Sequence, residues 1–381
     1  MGGVVALRTI GVEEEFLLVG PEDGRPRAVA AALLDAEADE SAERDLPDVE
    51  SELQRQQIET ATNPCTSPEE LFTELGQARR NAAERAQQAG AALVALGTSP
   101  MSVSTEVFPD PRYRRIADRF GMTAQEQLTC GCHVHVGIDS DEEAIGVLDR
   151  IRPWLSVLLA LSANSPFWRG DDSRYASYRA QVWPRWPSGG PTGPFGSPEA
   201  YRATVEAMTA TKTILDDGMI YFEARWSNKY PTVEIRVADV CTNTSDAVLL
   251  ALLSRGLVDT AARSWRAGDP PPEARVELLK LASWRASRSG LDDELVDPRT
   301  WRPAPAGEVV AALLEHTGDA LAASGDQHLA KELTSELLER GNGAQIQRAD
   351  YRQAGRLEDI VSRAISRTID PNSPHGSVHS G

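Results

Sequence analysis

The sequence predicts an α+β fold in which strands and helices share the first 240 residues and helices alone fill the remainder. Two observations carry this expectation. Apolar residues alternate with period two over 9–19, 126–138 and 232–239, as in half-buried strands, and from Ser245 onward the period becomes helical. Strand-rich sequence followed by a helical run indicates an α+β chain.

Residues 9–19 read as a strand closed by the turn residues Gly20-Pro-Glu-Asp-Gly24, with a hairpin expected next. An acidic, Ala-rich stretch then leads to a strand over 51–60. Ser67 caps a helix over 68–90, marked by Leu71, Phe72 and Leu75, which feeds a strand at 91–97. After the strand 126–138, Asp139-Ser-Asp141 starts a helix that runs to about residue 163 with an interruption at Pro153. Residues 164–197 are rich in Pro, Gly, Trp, Tyr and Arg and lack a period, so an ordered but irregular excursion is expected. Within it, 168–195 fits either a lid or a packed structural loop. Residues 219–226 and 232–239 alternate around Ser227-Asn-Lys-Tyr-Pro231, a β-hairpin with a longer loop. Beyond it no strands are expected, only helices at 245–266, 272–288, 306–323 and 326–340, and the residues after Ile369 read as a mobile tail.

Composition narrows the function. An apolar share of 41% with 25% charged residues is that of an ordinary globular protein. Fifty-seven acidic against 39 basic residues leave a net charge of −18, which repels phosphate backbones and anionic lipid headgroups and disfavours nucleic-acid and membrane roles. Only four residues are lysine, so nearly all positive charge is guanidinium, the group that grips carboxylates and phosphates bidentately. Four cysteines are too sparse for a disulfide scaffold. The start, MGGVVALRTIGVEEEF, lacks a signal-peptide pattern and the run 247–253 is too short to span a bilayer, so a reduced, cytoplasmic protein is expected.

In a strand alternate side chains share a face, which sets Glu13 and Glu15 to one side and Val12, Glu14 and Phe16 to the other. Two adjacent carboxylates repel. Either they sit on a solvent-facing edge strand, or a divalent cation neutralises them, and hard oxygen ligands select magnesium or manganese over zinc. Cys130-Gly-Cys-His-Val-His135 has zinc-type ligands at short spacing, yet His133 and His135 share one face while Cys130 and Cys132 share the other. One straight strand cannot wrap all four around one ion. The cysteines are expected in the core and the histidines on the polar face. Glu234 and Arg236 share a face of the last strand, where a cross-strand salt bridge to Arg225 or Glu223 is the alternative to a functional role. Glu59 is weaker alone. Together these strands gather hard ligands and an arginine, an active-site pattern. No P-loop, Gly-x-Gly-x-x-Gly, Gly-x-Ser-x-Gly or His-Glu-x-x-His motif is present, so any ATP must be held through metals and arginines. A metal-dependent hydrolase built on the same carboxylates and histidines is the alternative activity.

Five blocks in order resemble the glutamate–cysteine ligase type 2 family of carboxylate–amine ligases, related in fold to glutamine synthetase. They are Thr9-Ile-Gly-Val-Glu-Glu-Glu-Phe-Leu-Leu-Val19, Gln57-Ile-Glu-Thr60, Gly131-Cys-His-Val-His-Val-Gly137, Ser162-Ala-Asn-Ser-Pro-Phe-Trp168 with Ser173-Arg-Tyr-Ala-Ser-Tyr-Arg179, and Val233-Glu-Ile-Arg-Val-Ala-Asp239. The resemblance covers nearly the whole chain and implies one composite catalytic domain over 1–369, strand-rich to 240 and helical from 241, followed by a tail at 370–381. It implies an antiparallel sheet curved into a funnel-shaped active site, with helices packed outside. It further implies Glu13, Glu15, Glu59, His133 and Glu234 as metal ligands and Arg236 at the transferred phosphoryl group. His135 would act on the substrate side, and Arg174, Tyr178 and Arg179 would contact nucleotide or substrate. The implied cofactors are ATP and magnesium or manganese, and the implied substrates glutamate and cysteine, joined through an acyl phosphate. A homo-oligomer is left open by the apolar stripes of the C-terminal helices.

Overall fold

The computed structural model describes residues 7–35 and 49–369. In chain order its strands are β1 (Ile10–Val19), β2 (Val49–Ser51), β3 (Gln57–Ala61), β4 (Ala92–Val94), β5 (Gly131–Gly137), the ribbon β6 (Phe167–Trp168) and β7 (Asp171–Asp172), β8 (Ala224–Trp226), β9 (Thr232–Asp239), β10 (Glu294–Asp297) and β11 (Arg302–Pro305). Seven of them form one antiparallel sheet of order β2-β3-β1-β5-β9-β8, with β4 added to the far end of β1. The sheet does not close, but it curls strongly. Glu50 on β2 and Lys229 in the β8–β9 loop stand 4.0 Å apart. A flat sheet would hold them roughly 20 Å apart at about 4.8 Å per strand.

The outer face of the curl is apolar because the even positions of β1 and β5 are. Val12, Val134 and Val136, with Val233 and Ile235 of β9, join a core with the helices Asp141–Ile151, Leu155–Ser162 and Thr244–Arg266. The same core takes in side chains on both sides of residue 240, so the C-terminal helices are packed into it. Gly146 permits this closeness, since a Cβ there would lie 2.4 Å from the Trp265 ring. A second core forms where Phe16, Leu17 and Leu18 meet Val94, the helix Pro68–Gln88 and the last helix Leu357–Ile369. Ser67 and Glu70 close the start of helix Pro68–Gln88 with a capping box.

Glu14 faces this outer side and cannot stay there alone. Arg79 grips it with two hydrogen bonds of 2.6 and 2.9 Å, and also donates to the carbonyls of Cys241 and Thr242. All four cysteines are buried and free, with Cys132 in the first core and Cys130 in the second.

Several expectations are corrected. No hairpin follows β1, because its edges are taken by β3, β4 and β5, and only the bridge Val19↔Pro26 remains. The strand expected at 51–60 is two strands, β2 and β3, paired with each other. Strands do not end at residue 245, since β10 and β11 form a small hairpin. Helices at Pro111–Phe120 and Pro198–Ala210 were not anticipated, whereas Gly343–Ala354 and Leu357–Ile369 fall within the helical portion expected from 241 to 369, beyond the last helix range assigned in it. The tail assigned to 370–381 lies outside the described residues.

Replacing Arg79 by Met leaves Glu14 buried without its partner and should lower the unfolding free energy by about 3–5 kcal/mol in a denaturant titration. The double replacement Glu14→Leu with Arg79→Met should recover most of that loss.

Candidate active site

The inner face of the curl collects what the outer face excludes. Antiparallel register sets Glu13 beside His133, Glu15 beside Glu59, His135 beside Glu234, and Glu234 beside Arg225. His133 Nδ1 lies 3.4 Å from one oxygen of Glu13 and His135 Nε2 lies 3.2 Å from the other. Glu15 accepts the backbone N–H of Gly131 at 2.5 Å. Arg225 donates to Glu234 at 2.6 Å, and Arg236 hydrogen-bonds the same carboxylate.

One irregularity matters here. The pairing of β5 with β9 slips by one residue between Cys132 and Val134, so Arg236 and Val237 together stand opposite His133. Such a bulge re-aims side chains beside a site. Arg179 reaches the same place from the helix Arg179–Val182 and donates at 3.4 Å to the carbonyls of Arg236 and Val237. Its approach needs Gly131, where a Cβ would lie 2.3 Å from its guanidinium. Trp183 backs both cations, with the guanidinium carbons of Arg179 and Arg236 at 5.2 and 5.8 Å from its ring centroid.

Glu52 was missed by sequence reasoning. On one continuous strand 51–60 it would fall on the face opposite Glu59, seven residues on. The break between β2 and β3 brings it round to share a hydrogen bond with Glu59. Recognising 51–60 as two paired strands would have found it.

The electrostatics are unbalanced. Burial, and then the charge of Glu15, push Glu52 up to about 8. Burial and the charges of Glu13, Glu52 and Glu15 push Glu59 well above the ordinary range. Glu234 is different: burial opposes its ionisation, but Arg236 and Arg225 outweigh that and hold it down at about 2. Burial and Arg236 depress His133, which keeps its imidazole neutral at pH 7 with a lone pair to offer. The Nε2 atoms of both His133 and His135 are buried without a hydrogen bond, although Glu13 is near His135.

Three overlapping triads bring ligand atoms within 4.8 Å of one another: Glu13–Glu59–His133, Glu13–His135–Glu234 and Glu15–Glu52–Glu59. Carboxylate oxygens and imidazole nitrogens, some without partners, are a donor set suited to hard divalent cations. A cavity of about 870 Å³ opens beside Glu13 and His135 and runs past Arg8, Tyr230 and Arg255.

The expected residues do not all converge. Glu13, Glu15, Glu59, His133, His135, Glu234, Arg236 and Arg179 come together. Arg174 is exposed, in a left-handed backbone conformation with φ 62°. Tyr178 packs against Trp168 and Tyr175 at ring distances of 5.4 and 5.9 Å. Neither lines the cavity. The segment 168–195 is fastened down, with Trp186 buried and Arg185 bonded at 2.6 Å to Glu126.

A family model described as glutamate–cysteine ligase family 2 matches residues 9–363. A Streptomyces avermitilis protein with the provisional name glutamate–cysteine ligase 2-1 is 55% identical over 362 residues, covering 95% of this chain and 99% of its own. A Frankia alni relative, provisionally glutamate–cysteine ligase 2-2, is 49% identical over 97% of this chain and 99% of its own. Among solved structures, the Francisella tularensis glutamate–cysteine ligase in complex with AMP superposes with a TM-score of 0.66 at 12% identity, over 97% of this chain and 90% of that one. A bifunctional glutathione synthetase from Pasteurella multocida gives 0.65 at 15% identity, over 95% of this chain and 52% of that one. The protein is thus one of the ATP-dependent carboxylate–amine ligases. Within that class the chain belongs to glutamate–cysteine ligase family 2. No helix among the described residues is long and apolar enough to cross a membrane.

Because Glu52 titrates near 8 when folded and in the ordinary glutamate range when unfolded, the native state holds more protons between those values. The metal-free protein should therefore lose thermal stability as pH rises from about 5 to about 8. Millimolar magnesium should restore the melting temperature most at the upper end, and Glu52→Gln should flatten both effects.

Proposed function

We propose that the chain activates a carboxylate as an acyl phosphate and transfers it to an amine, with glutamate and cysteine as the substrates. The products are then γ-glutamylcysteine, ADP and phosphate. The observation that carries this reading is the set of three triads sharing Glu13 and Glu59 on one polar face. Arg236 and Arg179 stand at its edge.

The chemistry fits those residues. A free carboxylate is a poor acylating agent because its leaving group would be oxide. Its oxygen attacks the γ-phosphorus of ATP, the bond to the β-phosphate oxygen breaks, and ADP leaves. The amine nitrogen then attacks the acyl carbon, phosphate departs, and the amine gives up a proton. Phosphoryl transfer of this kind is mostly positioning and charge neutralisation. Glu13, Glu15, Glu52, Glu59, His133, His135 and Glu234 would hold magnesium, which when bound neutralises the phosphate oxygens. Including His135 in this set revises its expected substrate-side role, since its buried Nε2 faces Glu13 as His133 does. Arg236, locked to Glu234 and backed by Trp183, presents a fixed cation to the transferred group. The cavity beside Glu13 and His135 is of nucleotide size. The carboxylate and the amine would then approach the bound metal from the Glu15–Glu52–Glu59 end. Residues 7–35 and 49–369 act as one catalytic unit in this reading, because both halves of the chain share the first core.

Phosphate release from ATP, with product mass spectrometry, tests the reaction. Release should require magnesium, glutamate and cysteine together, and should match amide formed one to one. Release without an amine product would overturn ligation in favour of hydrolysis. Arg236→Ala should lower kcat by about 10²–10³-fold while the protein still melts cooperatively.

A further inference from the structure

Four arginines line the cavity beside Glu13 and His135, and each already has an acid. Arg8 pairs with Glu143 and Asp259, Arg255 with Asp326, Arg263 with Asp259, and Arg266 with Asp139 and Glu143. A triphosphate entering this cavity needs a cation whose partner is easily given up. None of these four qualifies, because each holds an acid whose side chain is at most 19% exposed, Glu143, Asp259 or Asp326, and displacing the arginine would strand that charge.

Lys229 does qualify. It is not itself a lining residue, but in the β8–β9 loop it directly precedes Tyr230, which is, and its side chain is 69% exposed. Its ammonium lies 4.0 Å from Glu50, the outer limit of an ion pair, and Glu50 is itself 59% exposed. A pair so exposed contributes little to stability and exchanges readily. The same ammonium stands 5.3 Å from the ring centroid of Tyr230. Tyr230 lines the cavity, is 47% exposed, and meets His135 edge-on at 6.0 Å. Lysine is scarce here, four residues in 381, and a compact flexible point charge is what a mobile polyphosphate contact uses.

We infer that Lys229 exchanges Glu50 for the phosphates of a nucleoside triphosphate bound in this cavity, while Tyr230 closes the rim against His135. Glu50 is then a competitor for Lys229 and not a ligand. The inference rests on the ligase reading and adds a substrate contact to it. It also gives the two members of one ion pair opposite effects. A merely structural clasp would give them the same effect.

Binding of ATP with magnesium to the full chain, read as protection against thermal unfolding, tests this alongside KM for ATP. Lys229→Met keeps the aliphatic stem and should weaken ATP binding about tenfold or more, leaving KM for glutamate and cysteine unchanged. Lys229→Arg should restore most of the affinity. Glu50→Gln frees the lysine and should leave ATP binding as it is or tighten it. Unchanged ATP binding in Lys229→Met, or equal losses in Lys229→Met and Glu50→Gln, would overturn the inference. Failure of the unaltered protein to bind ATP would instead overturn the ligase reading.

Discussion

The constraint on which the rest depends is the crowding of carboxylates on the inner face of one curled sheet. Main-chain pairing, not side-chain attraction, forces Glu15 beside Glu59 and Glu13 beside His133. The ladder hydrogen bonds and two apolar cores behind the sheet fix that register, because a one-residue slip would turn the acids into the core. The repulsion is therefore built in by the fold and cannot relax locally. It leaves a charge deficit that suits a cationic ligand.

The contrast between the two faces shows that the deficit is local. Away from the inner face several buried acids meet an arginine: Glu14 has Arg79, Glu143 has Arg8, Asp326 has Arg255, and Asp350 has Arg363 and Arg367, while Asp149 is held by the backbone N–H groups of Phe195 and Gly196. On the inner face, among the described residues, only Glu234 is satisfied by arginines, Arg225 and Arg236. Arg236 is thus tethered beside the carboxylate cluster, where the proposed reaction would place the phosphoryl charge. Its position depends on a chain of supports: the β5–β9 bulge, the Trp183 ring, and Arg179 on its carbonyl. Asp239, itself fixed by Ser165, Ser177 and the backbone of Asn164, lies 3.9 Å from Arg179 and completes the brace.

Much of this was legible in the sequence wherever strand periodicity was strong. β1, β5 and β9 alternate cleanly, so the faces of Glu13, Glu14, His133 and Cys132 followed from counting. Legibility failed where the chain turns without a glycine or proline to announce it. Residues 52–56 carry no such signal, and reading 51–60 as one strand put Glu52 on the wrong face. Arg174 and Tyr178 lie in a motif that resembles the family's, yet sequence proximity to Arg179 does not carry them to the site. The ribbon β6–β7 and the Ser165↔Ser177 bridge turn that stretch outward first, and only Arg179 re-enters. β10 and β11 escaped notice because a four-residue strand containing two prolines has little period to read.

A chain of net charge −18 is by its overall field a poor host for a triphosphate, but two length scales separate here. At long range the acidic surface repels anions, and salt screens it within about 8–10 Å. At short range the inner face is an acceptor cluster that, on the proposed reading, would gather divalent cations first. Once neutralised, it would add their charge to Arg236 and Arg179, so that the sign of the field would reverse only inside the curl. Anion binding would then depend on prior cation binding, since an anion without its metal would meet repulsion from Glu50 as well as from the floor. The curl that brings Glu50 within reach of Lys229 lets one sheet carry the carboxylate cluster and also wall the cavity, which the proposed reaction would use for metal and nucleotide.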